Sequence, residues 1–173
     1  MSKKYIFDLD NTLVFTDDLN TEAYNFALKK VGLACIADVP RITRKTIMQE
    51  FPSLRIRCVK KIFKIRQNYF CKNLEKTKLN EAVFKELISK NPRDCFLWLS
   101  ADQTRANAIL KHYKLKKYFD KIIFSPKRDI GEDLKKITRF ARCSVSDLVF
   151  YEDDKVIFEK LRACHCKINY IMK

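Results

Sequence analysis

Glycine and proline are scarce in this sequence. Its 173 residues include two Gly and four Pro, so most turns must be made by Asn, Asp, Ser and Lys, and glycine is a poor guide to element boundaries. Long apolar runs are missing as well. None approaches the ~18 residues needed to cross a bilayer, so no membrane span and no membrane partner are expected. The chain runs from Met1 almost directly into its first apolar stretch, and a signal peptide is not expected. Internal repeats and low-complexity stretches are also absent.

The hydrophobic content, 47%, excludes a disordered tail, and the length suits one domain with a good core plus a small insertion. Seven cysteines are an odd, scattered set, and with no export signal they read as reduced thiols in a cytoplasmic compartment. Cys164-His165-Cys166 has the form of a metal clip, but no second Cys or His pair stands at ligand spacing, so no structural metal is expected there. The net charge of +15, from 36 basic and 21 acidic residues, draws anions such as phosphorylated metabolites, nucleic acid or acidic protein. It does not choose among them.

Residues 4–10, an apolar and aromatic run ending in Asp8-Leu9-Asp10, read as a buried strand. Asp17 to Val31 reads as a helix that Asp18 or Asn20 can cap, with Gly32 as its stop. From about 40 to 90 the pattern is helical throughout. A short helix opens at Thr43, Pro52-Ser53 breaks it, a long amphipathic helix runs from Leu54 to Leu74, and another is capped by Asn80 and ends at Asn91-Pro92-Arg93. Strands are then expected at 94–100, 121–124, 148–151 and 167–171, with helices at 102–113, 131–142 and 156–163 between them. Such alternation predicts an α/β domain with a parallel sheet and helices on both faces, whose ligands sit beyond the C-terminal strand ends. The expected division is 1–13 with 91–173 as the α/β core and 14–90 as a helical insertion.

Between residues 41 and 66 stand Arg41, Arg44, Lys45, Arg55, Arg57, Lys60, Lys61, Lys64 and Arg66, against one acid, Glu50. This is either a solvated helix face or a surface that guides or clamps an anionic substrate; a nucleic-acid groove is a narrower form of the second reading. Tyr69 and Phe70 lie nearby, at a spacing that favours core over a stacking platform.

Asp8 and Asp10 repel each other unless a cation or a shared proton intervenes, and a hard, oxygen-liking ion such as Mg²⁺ is the simplest remedy. The wording Asp8-Leu9-Asp10-Asn11-Thr12-Leu13 behind an N-terminal strand resembles the first motif of the haloacid dehalogenase (HAD) phosphohydrolase superfamily. Three later stretches are similar to its other motifs: Leu97-Trp98-Leu99-Ser100-Ala101, Ser125-Pro126-Lys127-Arg128 and Phe150-Tyr151-Glu152-Asp153-Asp154. The resemblance implies a HAD-like (Rossmann-like) core with a helical cap domain inserted after the first motif. It also implies a Mg²⁺-dependent phosphatase working through an aspartyl-phosphate. Asp8 matches the nucleophile, Asp10 the general acid/base, Thr12 a loop-holding residue, Ser100 the hydroxyl donor to a phosphoryl oxygen with Ala101 and Asp102 as backbone N–H donors, and Lys127 the charge-balancing lysine. Mg²⁺ would be held by Asp8, the Asp10 carbonyl and Asp153, with Glu152 close behind. Three details depart from the pattern: proline precedes Lys127 instead of following it, Asp154 stands where Ser is common and can cap the next helix instead, and Ala163-Cys164 replaces an Ala-Gly pair. Lys135 and Lys136 are less suited than Lys127 because they fall inside an expected helix.

Asp10 and the acidic fourth stretch favour phosphoryl transfer over dehalogenation. The expected substrate is a small phosphorylated metabolite or nucleotide. The alternatives are a polynucleotide end phosphatase, a phosphoprotein phosphatase, or a non-catalytic protein that binds nucleic acid through its basic face.

Overall fold

The computed structural model describes residues 3–37, 39 and 41–172. It divides into two compact units, Met1–Phe15 with Leu79–Lys173, and Thr16–Lys78. In chain order the first strand, β1 (Lys4–Phe7), is followed by a short strand, β2 (Val14–Phe15), and by helices α1 (Asp17–Lys30), α2 (Arg44–Glu50) and α3 (Ile56–Lys72). Next come β3 (Lys78–Leu79), α4 (Glu81–Ile88), β4 (Cys95–Leu99), α5 (Gln103–His112), β5 (Lys121–Phe124), α6 (Ile130–Ala141), β6 (Leu148–Glu152), α7 (Lys155–Ala163) and β7 (Lys167–Tyr170). The short strands β2 and β3 pair with each other where the chain leaves and re-enters the first unit.

The first unit is an α/β, HAD-like fold. Five strands form a parallel sheet in the order β5-β4-β1-β6-β7. Successive crossovers build outward from β1 to β4 and β5, then return to place β6 on its other side. The strand order therefore reverses between β1 and β6, the position at which ligands of such sheets bind beyond the C-terminal strand ends. Strand alternation sorts the apolar side chains. Ile6, Phe96, Trp98 and Phe150 pack with Ile130, Leu134 and Ile137 of α6 and with Ile157 and Leu161 of α7. Phe7 instead stacks on Tyr151 at 4.4 Å and meets Phe119 edge-on.

The second unit is helical. Tyr24, Ala27, Leu28, Ile36, Ile42, Ile47 and Ile62 form its core. Thr43 opens α2 through a reciprocal side-chain bond with Thr46. Gly32, at φ 77°, stops α1 in the left-handed conformation that glycine takes without strain.

Three expectations shift. The first strand ends at Phe7 rather than at residue 10, although the Asp8 N–H still bonds the Tyr151 carbonyl. Neither Asp18 nor Asn20 caps α1, whose N-cap position is Thr16. Asn20 is buried inside the helix and holds the Ile42 carbonyl and the Arg66 guanidinium. The helical segment drawn as 14–90 differs from the compact unit Thr16–Lys78, because Val83 and Leu87 of α4 are buried in a segment that groups with the α/β unit.

Of the basic residues at 41–66, Arg44, Lys45, Arg55, Arg57, Lys60, Lys61 and Lys64 are exposed. Arg41 pairs with Asp17, and Arg66 lies over the rings of Tyr24 and Phe70. Phe70 is core and Tyr69 is half-buried, its hydroxyl donating to Glu22. No helix among the described residues is long and apolar enough to cross a membrane.

Candidate active site

Asp8 follows β1 at the point where the sheet order reverses, and its backbone extends the ladder to β6 by one bond, 3.0 Å to the Tyr151 carbonyl. The chain then turns sharply. Asn11 takes a left-handed conformation, φ 60°, and its N–H bonds the Val14 carbonyl at 2.7 Å. Asn tolerates this region better than most residues. The turn buries Asn11 and Thr12 and sends Asp10 to a different partner from Asp8.

β6 ends in the second acidic group. Glu152 is buried and Asp153 half-buried. Asp8, Glu152 and Asp153 each offer a carboxylate oxygen, all within 4.8 Å of one another. Thr12 Oγ1 donates to Asp153 Oδ1 at 3.3 Å, joining the two loops. Asp154 faces elsewhere. Its carboxylate accepts the N–H groups of Val156 and Ile157 and caps α7, the capping alternative raised from the sequence.

Lys127 comes from the loop after β5. It is 5% exposed, and its Nζ donates to Asp8 Oδ1 and Glu152 Oε2, each at 2.7 Å. Lys135, by contrast, is exposed and pairs with Glu132. The Lys127 backbone is left-handed, φ 52°, and its ammonium lies 4.4 Å from the Trp98 ring centre. Ser125 supports this bend. Its hydroxyl is held by the buried Asp133 carboxylate at 2.5 and 2.6 Å and accepts the Lys127 N–H at 3.2 Å.

The charges do not cancel. Burial pushes the Asp8 carboxyl up from 3.8 to about 8; Lys127 opposes this, and the carboxylates of Glu152 and Asp10 add to it. Burial alone would lower the Lys127 ammonium, but Asp8 and Glu152 outweigh it and drive its value up, so it stays charged. Three clustered carboxylates against one ammonium leave room for a divalent cation. All-oxygen donors at this spacing suit a hard ion such as Mg²⁺. Glu152 is already engaged at both oxygens, by Lys127 and by the Asp154 N–H, which leaves Asp8 and Asp153 better placed as direct ligands.

Ser100 and Ala101 follow β4 on the same C-terminal edge of the sheet. Ser100 is exposed, and α5 is capped by Asp102, which accepts the N–H groups of Thr104 and Arg105. Asp10 forms an ion pair with Arg105 in the first turn of α5, and both side chains are largely buried. Sequence reasoning missed Arg105, Ser125 and Asp133. Arg105 did carry a signal, because it stands four residues before the buried Ile109 and so shares its helix face, where an unpaired cation is rarely tolerated.

The haloacid dehalogenase-like hydrolase family profile matches residues 5–138. No curated protein sequence matches the chain. Among solved structures, similar chains include a haloacid dehalogenase-like family hydrolase from Streptococcus pneumoniae, 15% identical with a TM-score of 0.75 over 99% of this chain and 85% of that one. A protein from Thermotoga maritima assigned as a β-phosphoglucomutase is 22% identical, with a TM-score of 0.75 over 99% of this chain and 86% of that one. CbbY from Rhodobacter sphaeroides, solved in complex with phosphate, is 14% identical, with a TM-score of 0.77 over 99% and 88%. With its fold repeated in these structures and most of its length matched by the profile, the chain belongs to the haloacid dehalogenase-like hydrolase family.

Proposed function

We propose that this hydrolase is a Mg²⁺-dependent phosphatase acting on a small phosphate monoester through an aspartyl-phosphate at Asp8. The observation that carries the reading is the meeting of Asp8, Glu152 and Asp153 around Lys127 at the sheet's reversal point. An Asp8 oxygen attacks phosphorus and forms the acyl-phosphate bond as the ester P–O bond breaks. Asp10 gives its proton to the departing oxygen. It then takes one from the water that attacks the same phosphorus, releasing phosphate and restoring the Asp8 carboxylate. Lys127 holds Asp8 in place and balances charge on the transferring group.

Ser100 Oγ and the Ala101 N–H hold phosphoryl oxygens in this reading, and Thr12 locks the first loop to the Asp153 loop. Mg²⁺, held by Asp8, Asp153 and the Asp10 carbonyl with Glu152 behind them, would offset the negative charge of the phosphoryl group. The inserted unit Thr16–Lys78 is the cap that selects the substrate. The free thiols of all seven cysteines are in keeping with a cytoplasmic setting.

A second reading, a nucleic-acid end as substrate, is favoured by Arg57, Lys60, Lys61 and Lys64. They are exposed about one turn apart on α3, which carries no acidic residue.

Phosphate release from p-nitrophenyl phosphate, measured with Mg²⁺ and with a chelator, tests the main reading. Turnover is expected only with Mg²⁺ and is lost in Asp8→Asn with the fold retained. Undiminished turnover in that variant removes Asp8 from its role. Faster release from a 5′-phosphorylated oligonucleotide than from sugar phosphates would select the second substrate class.

A further inference from the structure

We propose that Asp133 is a positioning residue for Lys127, acting through the Ser125 hydroxyl: the pair clamps the main chain from which the ammonium reaches Asp8 and Glu152. This rests on the phosphatase reading above and deepens it, since that reading gives Ser125 and Asp133 no part.

Ser125 follows β5 and is tied to the sheet, because its N–H bonds the Leu99 carbonyl at 2.8 Å. Asp133 stands in the first turn of α6, where its own N–H bonds the Asp129 carbonyl at 3.1 Å. The cap of α6 is a different residue, Asp129, which accepts the Glu132 N–H. Asp133 turns inward and meets Ser125, and both are buried. Burying a carboxylate is costly unless it is hydrogen-bonded, and an apolar pair of the same shape is often no less stable. What the polar pair adds is direction.

A serine hydroxyl has one hydrogen and two lone pairs. The Asp133 carboxylate takes the hydrogen, with its oxygens 2.5 and 2.6 Å from Ser125 Oγ. A lone pair is thereby turned to the Lys127 N–H, which donates to it at 3.2 Å. A serine side chain that accepts the N–H two residues on closes a turn, and Pro126 between them has a restricted φ. The turn holds Lys127 in the left-handed conformation, φ 52°, which a residue with a Cβ resists.

Lysine carries its charge on a flexible four-carbon stem. In the resting site the tip is held by Asp8 and Glu152, each at 2.7 Å. Forming the aspartyl-phosphate uses the Asp8 charge, so the tip then keeps its full ion pair with Glu152 alone. The clamp on the main chain is unaltered by that step and keeps the ammonium beside the phosphoryl group. A misplacement of about 1 Å can cost roughly 10²-fold in rate.

Two measurements test the clamp. The first is kcat/KM for p-nitrophenyl phosphate. Asp133→Ala and Ser125→Ala should each lose about 10- to 100-fold, and the double variant should lose little more than the worse single one. Asp133→Asn, which keeps an oxygen for the hydroxyl hydrogen, should stay within about threefold of wild type. The second is the emission of Trp98, the sole tryptophan, whose ring centre lies 4.4 Å from the Lys127 ammonium. Asp133→Ala should shift that emission. The shift should fall to less than about half in a Lys127→Met background, where no ammonium is left to move.

An undiminished rate in Asp133→Ala overturns the proposal, as do additive losses in the double variant or equal losses in Asp133→Asn and Asp133→Ala. The same emission shift with and without Lys127 also overturns it, since Asp133 would then act through the packing of Leu134 and Trp98. Failure of both Asp133→Ala and Ser125→Ala to fold by circular dichroism assigns the pair to the fold alone. Failure of the underlying phosphatase reading looks different: the wild-type protein would not hydrolyse the ester, while the emission comparison would still decide whether the clamp exists.

Discussion

Replacing Lys127 by Met removes the cation between two buried carboxylates while keeping side-chain length over Trp98. Its Nζ is 2.7 Å from both Asp8 and Glu152. Breaking a buried ion pair by deleting one partner costs about 3–5 kcal/mol. Here two acids lose the same partner, but Asp8 can take up a proton, since its carboxyl already sits at about 8. The loss near neutral pH should therefore lie at the low end, about 3 kcal/mol. For a chain of this size that lowers the Tm by about 6–12 °C.

Trp98, the sole tryptophan, is buried and 4.4 Å from the ammonium, so its fluorescence reports both the unfolding and the local change. Lowering the pH from 8 to 5 should return part of the lost stability, because protonated carboxyls need no counter-charge. A variant with the wild-type melting temperature at pH 7.5 and no gain on acidification would refute the electrostatic account of this cluster.

The wild-type protein should show the same chemistry more gently. The folded-state Asp8 value, about 8, lies above its ordinary 3.8, so its contribution to stability is complete below about pH 4 and lost as the pH rises through 8. Without metal, the melting temperature relative to Asp8→Asn should fall from pH 5 to 8.5. Mg²⁺ should raise it more at pH 8.5 than at 5, by about 2.7 kcal/mol at 100 times Kd, and Asp153→Asn should remove most of that rise. Asp154→Ala should cost about 1 kcal/mol in urea unfolding through the lost α7 cap, with kcat/KM within about twofold of wild type because the Asp154 carboxylate faces the helix.

The sheet was legible because each buried strand is a short apolar run that ends in a polar residue, and helix spacing fills the gaps between runs. Cys95–Leu99 and Leu148–Glu152 follow that pattern, with ends within one residue of those expected. Local capping was less legible. Asn20 has the right chemistry for an N-cap, but Ile42 and Arg66, 22 and 46 residues away, claim it, and tertiary contacts override local preference. The acidic residues of the site could be found by their place at strand ends. Arg105 showed only its place on the buried face of α5, and Asp133 showed nothing, because the partner of each lies on a separate element, Asp10 at a distance of 95 residues and Ser125 across a turn. Lys127 lies between these cases. The sequence favours it because Lys135 and Lys136 fall inside an expected helix, and only the folded chain shows it buried against both acids.

Scarcity of glycine has a cost that the backbone makes visible. Among the described residues, Asn11, Lys114, Lys127, Arg142 and His165 occupy the left-handed region, at about 1–3 kcal/mol each for a side chain there. At position 127 the residue that bends the main chain is also the one whose amine reaches the acids. Glycine would relax the bend and delete the amine, while a bulkier or branched cation would keep charge and fight the bend. Evolution at this site is therefore confined to a narrow corridor, and thermal hardening of the protein is better sought at Lys114 or Arg142, where glycine removes strain and no active-site ammonium.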